Sequence, residues 1–300
     1  MTRPPELDDL VTEAQDAETA DLDLRATREL VSLMNREDAL VPTAVAAAGE
    51  AIAAAIDAVV ERLGAGGRLI YVGVGSSGRL AAVDAAECEA TFSAAPGQVV
   101  AVVAGADGTS ATDEEAAEDD ADAGRTALEE LGLSSSDAVV AVSASGRTPY
   151  VLGAVLAARA AGALTVALVA NRDSELARVA DREIAVVVGP EVVAGSTRLK
   201  AGTAQKLVLN TISTVVMIRL GKTFGNLMVD VRPSNEKLRE RQRRVVATAT
   251  GASVGEVEEA LTAAGGNARV AIVSLLRECD ADAARARLEA AGGNVRLALR

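Results

Sequence analysis

Apolar and polar positions alternate in blocks along this 300-residue chain. Residues 24–34 and 44–63 carry apolar side chains three and four apart, the spacing of an amphipathic helix. The second stretch ends in a run containing Gly64, Gly66 and Gly67, a helix stop. Short apolar runs follow at residues 69–74, 98–103, 137–142, 163–170 and 183–188. Each is rich in Val, Ala, Leu or Ile, as strands buried on both faces are. Helical spacing returns at 80–87, in a segment ending near Leu133, and at 150–161. This alternation predicts an α/β fold: a doubly wound, five-stranded parallel sheet with helices on both faces. A long helix is predicted from residue 195 to about 220. Its first turns are polar on every face, which suits contact with a ligand or a second subunit.

From about Ala249 the pattern changes. Ser253 and Glu256 form a capping box. The five residues Ala263-Ala-Gly-Gly-Asn267 recur as Ala290-Ala-Gly-Gly-Asn294. Each Gly pair can end a helix, each Asn can cap the next, and Asp280 can cap the helix between. Residues 239–244 read as a charged helical linker. The expected organisation is therefore residues 1–244, an α/β domain with an N-terminal arm, and residues 245–300, a small all-helical domain. Packing or dimer contact is the expected job of the second.

Two strand-to-helix turns carry candidate chemistry. Residues 69–74 run into Gly75-Ser-Ser-Gly78, and residues 137–142 run into Ser143-Ala-Ser-Gly-Arg-Thr-Pro149. A strand that leaves such a turn as a helix aims free N–H groups and the positive end of the helix dipole at one spot, which favours an anion such as a phosphate. Serine hydroxyls add donors. Gly73, Gly75 and Gly78 also fit a dinucleotide fingerprint, but no acidic residue closes the next strand, and Asp107 lies too far along. Nucleotide binding therefore ranks second. Taken singly, each turn is also what any tight α/β connection requires. Two such turns on neighbouring parallel strands would converge on one crevice.

Composition narrows the chemistry. Aromatic residues make up 1% of the chain, so the core is built from Ala, Val, Leu and Ile. The net charge of −13 argues against a nucleic-acid partner. No apolar run is long enough to span a membrane, and residues 1–9 lack the order of a signal peptide. Cys88 and Cys279 cannot form a disulfide framework, and a cytoplasmic location is expected. The chain has no histidine, which rules out a Ser-His-Asp triad and leaves Glu, Asp, Lys or Tyr to move protons. Its four lysines are Lys200, Lys206, Lys222 and Lys237; every other cation is Arg. They mark either sites that want a compact ammonium or chance in a small sample. The acidic run 113–122 opens a helix, where its charges suit the dipole, and a solvated face is its default reading.

Five segments resemble motifs of the N-acetylmuramic acid 6-phosphate etherases. They are Gly75-Ser-Ser-Gly-Arg-Leu80, Asp84-Ala-Ala-Glu-Cys88 with Thr91 and Phe92, Ser143 to Tyr150, Gly195 to Asn210, and Lys222 to Asp230. Lys200, Lys206 and Lys222 fall inside these segments, and Lys237 lies seven residues past the last. The resemblance implies a sugar isomerase (SIS) domain followed by a small ubiquitin-associated-like helical domain, in a homodimer. It implies cleavage of the D-lactyl ether of a 6-phosphorylated amino sugar, by elimination and then water addition, without metal or organic cofactor. It carries catalytic roles onto Glu87, as proton donor, and Glu118. Ser replaced by Ala86, and Pro-Pro replaced by Glu89-Ala90, are departures beside Glu87. Without the resemblance, Glu87 reads as an ordinary exposed helical residue, and Glu118 does not stand out from its acidic neighbours.

The expected phosphate contacts are Ser143, Ser145 and Thr148, with Ser76, Ser77 and Arg79 on the sugar or the lactyl carboxylate. Lys200 is a further expected substrate contact. Arg147 is either another or a structural partner beside the turn. The rival functions are an aldose–ketose isomerase on the same fold and a non-catalytic sugar-phosphate sensor.

Overall fold

The computed structural model describes residues 9–105, 116–230 and 235–300. The expected turn at 105–110 (from Ala106, with Asp107), residues 113–115 of the acidic run, and Val231 lie outside the described residues. The chain divides into two compact units, Met1–Ala86 with Gly97–Ser213, and Glu87–Pro96 with Thr214–Arg300.

In the first unit, two short 3-10 turns precede α1 (Thr27–Asp38), α2 (Val41–Ala47) and α3 (Gly49–Gly64). The sequence predicts one helix over 44–63; the structure has two. They meet at Ala48, whose backbone (φ −90°, ψ 6°) leaves the helical region beside Gly49, a poor helix former.

The α/β alternation then runs through β1 (Leu69–Gly73), α4 (Gly75–Phe92), β2 (Val99–Val103), α5 (Ala121–Glu130), β3 (Ala138–Val142) and α6 (Pro149–Ala160). It continues with β4 (Leu164–Val169), α7 (Glu175–Val179), β5 (Arg182–Ala185) and α8 (Lys200–Arg219). The five-residue α7, capped by Ser174, is too short to leave a periodic signal. The strands pair in parallel in the order β2-β1-β3-β4-β5. The order reverses between β1 and β3, and at such a switch point an open α/β sheet leaves a crevice beyond its strand ends.

Strand side chains alternate between the two faces. Ile70, Val72, Val139, Ala141, Ala167 and Val169 share one core cluster with residues of α5, α6 and α7. Tyr71, of opposite parity, donates from its hydroxyl to Asp84 of α4, while α3 lies against β3, β4 and β5. Helices α5 and α6 approach unusually closely: a Cβ added at Gly153 would stand 1.9 Å from the Ala121 carbonyl oxygen.

The second unit holds a hairpin, β6 (Thr223–Phe224) with β7 (Leu227–Met228), and the helices α9 (Glu236–Thr250), α10 (Val254–Ala263), α11 (Ala268–Arg277), α12 (Ala281–Ala290) and α13 (Val295–Ala298). The capping reading holds at Ser253 with Glu256, Asn267, Asp280 and Asn294. The linker reading does not. The expected boundary after residue 244 falls inside α9, because residues 239–244 are the polar part of an amphipathic helix. Val245 and Val246 enter the core of this unit, Gln242 donates to the Gly266 carbonyl at 2.8 Å, and Arg243 pairs with Glu258 at 2.6 Å.

Candidate active site

Helix α4 starts two residues after β1, so Ser76 and Ser77 occupy its first turn. The turn is tight because residue 78 has no side chain: a Cβ there would stand 2.7 Å from the Gly73 carbonyl oxygen. On the adjacent strand, β3 ends at Val142 and α6 begins at Pro149, whose fixed φ suits a first helical position. The turn between them is held by its own hydroxyls. Ser143 Oγ lies 3.0 Å from Thr148 Oγ1 and 3.4 Å from Ser145 Oγ, and it accepts from Gly146 N–H at 3.1 Å. Ser145 Oγ accepts from Arg147 N–H at 3.3 Å. Thr148 sits at the N-cap of α6 but makes no capping bond; its hydroxyl donates to Glu118 Oε1 at 3.1 Å.

These groups meet in one cavity of about 290 Å³ lined by Val74 and the first turn of α4, the end of β3 and the β3–α6 turn, Glu118, Glu13 and the approach to α8. Ser76, Ser77, Ser143, Ser145 and Thr148 all line it. The N-termini of α4 and α6 both open on it, a double source of positive potential. Among the described lining residues are two carboxylates and no Lys or Arg. An anion held here is held by hydroxyls and backbone dipoles.

The polar first turns of α8 are explained by what they touch. Glu191 is fully buried and accepts from the N–H groups of Lys200 and Ala201, both at 2.9 Å, which caps α8. Gln205 Oε1 accepts from the Ser77 hydroxyl at 3.0 Å and so fixes a cavity-lining group. Asn210 and Ser213 donate to buried Asp84, the same carboxylate that Tyr71 reaches, which ties α8, α4 and β1 together.

The other expected site residues stand apart from the lining. Arg79 is exposed and donates to Ser76 Oγ at 3.4 Å. Arg147 lies 3.9 Å from Glu175 of α7, the structural pairing that was one of its two readings. Lys200 is only 2% exposed, and its ammonium meets Glu37 of α1 at 2.6 Å. It is engaged by the protein and is not among the residues that line the cavity, where the sequence expects a substrate contact. Glu87 belongs to the second unit, is exposed, and is not among the lining residues. Of the other lysines, Lys222 pairs with Asp230 at 3.3 Å, and Lys206 and Lys237 are exposed.

The sequence reading missed Glu13 as a lining residue; Gly195 and Thr197 lie in the polar stretch it singled out for ligand or subunit contact, without being named as site residues. Glu13 lies in an acidic segment with no period, and nothing local marks it.

A family model described as the glucokinase regulatory protein N-terminal SIS domain matches residues 51–159, and one described as the SIS domain matches residues 126–214. Among solved structures, phosphoheptose isomerases from Francisella tularensis (TM-score 0.54, 20% identical, 65% of this chain and 100% of that one) and Neisseria gonorrhoeae (TM-score 0.51, 19% identical, 64% and 98%) share the fold. An N-acetylmuramic acid 6-phosphate etherase of Rubrobacter xylanophilus is 59% identical over 98% of this chain and 97% of its own length. One from Streptomyces coelicolor is 55% identical over 98% and 94%. One from Mycolicibacterium smegmatis is 49% identical over 98% and 99%. With identity at this level over nearly the whole length, the chain belongs to the N-acetylmuramic acid 6-phosphate etherase family.

Proposed function

We propose that this protein cleaves the D-lactyl ether of N-acetylmuramic acid 6-phosphate, giving N-acetylglucosamine 6-phosphate and D-lactate, in the recycling of cell-wall amino sugars. The observation that carries the reading is the convergence of two serine turns and Glu118 on one cavity, in a chain of this family. Ser143, Ser145, Thr148 and the start of α6 hold the phosphate. Ser76, Ser77 and Arg79 face the sugar or the lactyl carboxylate.

An ether resists direct hydrolysis, but in the ring-opened sugar the C1 aldehyde acidifies the C2 proton. Glu118 takes that proton. Glu87 protonates the lactyl oxygen as the C3–O bond breaks, leaving an unsaturated aldehyde. Water then adds at C3 and gives its proton back to Glu87, while C2 is reprotonated. General acid–base steps of this kind contribute about 10²- to 10⁴-fold each. The protein works as a cytoplasmic homodimer, and Glu87, exposed in the single chain, acts in that assembly.

The test is incubation with N-acetylmuramic acid 6-phosphate and an assay for D-lactate. Glu87→Gln and Glu118→Gln should each lower turnover at least a hundredfold while binding persists. An isomerase would exchange the C2 proton with solvent and release no lactate, and a sensor would bind without either.

A further inference from the structure

Residue Glu13 sits on the N-terminal arm, and the arm is fastened to the switch-point end of the sheet. Asn171, 3% exposed and just past β4, makes two of the bonds that hold it and a third to the sheet's own turn. Its side-chain oxygen accepts from Val11 N–H at 2.8 Å; its amide donates to Thr12 Oγ1 at 3.1 Å and to the Ala144 carbonyl at 3.0 Å. Ala144 is part of the β3–α6 turn, so a single buried amide ties the arm to the serine cradle. On the other side, Gly195 N–H donates to the Thr12 carbonyl at 3.0 Å. Residue 195 adopts φ +76°, and a Cβ there would stand 2.8 Å from Glu13 Oε2. A glycine at this place leaves room for the carboxylate. Leu10 and Thr12 are both buried, each 1% exposed, so this part of the arm is packed structure.

The Glu13 side chain lines the cavity, half-buried, with no hydrogen-bond or ion-pair partner among the described residues. Glu118, the other carboxylate there, already accepts from Thr148. An acceptor-only group with unused lone pairs, held at a fixed place in a cavity, is complementary to a donor. It opposes a phosphate or a carboxylate, which would meet it charge to charge.

We propose that Glu13 is a specificity-determining residue that accepts hydrogen bonds from the neutral donors of the amino sugar, its hydroxyls and acetamido N–H. This rests on the phosphosugar reading of the cavity. A site built to pair such donors rejects ligands that lack them, because its polar group is then left buried and unmatched.

Calorimetry separates the proposal from that reading. Wild type, Glu13→Gln and Glu13→Asp are each titrated with N-acetylglucosamine 6-phosphate and with inorganic phosphate. Glu13→Gln should weaken the sugar phosphate tenfold or more and leave inorganic phosphate unchanged or tighter, at a melting temperature equal to wild type. Glu13→Asp, which keeps the charge one methylene short, should fall between. Equal weakening of both ligands would make Glu13 a structural group, and no weakening of either would make it a bystander; both results overturn the proposal. A wild-type protein that binds neither ligand would overturn the phosphosugar reading, and the proposal with it. Lactate assays then place the effect: kcat/KM should fall tenfold or more on the full substrate.

Discussion

The ion pair between Lys200 and Glu37 allows a sharp test, because sequence motif and structure give the lysine different jobs. The pair is 2.6 Å long, with Lys200 2% and Glu37 18% exposed. At an effective dielectric of about 20, charges at that separation attract by about 6 kcal/mol before desolvation is counted. Desolvation takes back most of this, but removing one partner strands the other, a loss of about 3–5 kcal/mol. The two losses should differ. Glu37→Gln leaves a buried ammonium at the first position of α8, where the helix dipole also opposes it, and should cost about 4–5 kcal/mol. Lys200→Met leaves a carboxylate that still reaches water, and should cost about 3 kcal/mol. The double variant should lose less than the sum. Urea unfolding with linear extrapolation measures all three, and KM is read on the same proteins. A Lys200→Met protein within about 1 kcal/mol of wild type but with KM raised tenfold would refute the structural assignment and return the lysine to the substrate.

Three further outcomes follow from the geometry. Burial pushes the Asp137 carboxyl up, but the Arg68 side chain and the N–H groups of Ser134 and Arg68 outweigh it and hold the group at about 2. A depressed folded-state pKa contributes stability above the unfolded value near 3.9, here about 2 kcal/mol, and loses it as pH falls toward 2. The stability gap between wild type and Asp137→Asn should therefore shrink across that window, and a gap independent of pH would refute the linkage. Gly153→Ala places a Cβ against the Ala121 carbonyl; the clash should exceed the helix-propensity gain of about 1 kcal/mol and lower the melting temperature, and an unchanged value would show that α5 and α6 separate freely. Gln205→Leu removes the acceptor of the Ser77 hydroxyl together with a buried amide nitrogen that has no partner among the described residues, so stability should hold or rise while KM for the phosphosugar rises; an unchanged KM would make Ser77 a bystander.

The α/β layout was legible because β1 to β4 are compact apolar runs and the two turns of the cavity carry their own glycines and serines. Caps at Ser253, Asn267, Asp280 and Asn294 were legible for the same local reason. What failed needed contacts between distant residues. The charge of residues 239–244 marked a helix but not its buried side, which is set by its tertiary partners. Lys200 sits in a motif segment, yet its counterion, Glu37, is 163 residues away in sequence. Glu13 reaches the cavity only because Asn171 and Gly195 fasten the arm there, and no pattern around residue 13 encodes that. Glu191, which caps α8 from nine residues upstream, looks in sequence like any loop carboxylate.

The lack of a cation among the described lining residues bears on how such a cavity could do the proposed acid–base work on an anion. The substrate proposed here carries a phosphate and a lactyl carboxylate, and the protein itself carries a net charge of −13. A lysine or arginine in the cavity would be the simple remedy, but it would also pair with the nearest carboxylate, and a carboxylate so paired is a weaker base. Two helix N-termini, each equivalent to roughly half a positive charge, supply attraction at fixed places without a mobile counterion. Serine and threonine hydroxyls supply donors that do not titrate in the working range. Of the cations near the lining residues in sequence, Arg147 lies against Glu175 and Lys200 is bound to Glu37, while Arg79 donates to Ser76 Oγ and stands outside the lining. On the proposed reading the cavity separates two tasks: dipoles and hydroxyls hold the anion, and Glu118, with no Lys or Arg among the described lining residues, is left to take the C2 proton.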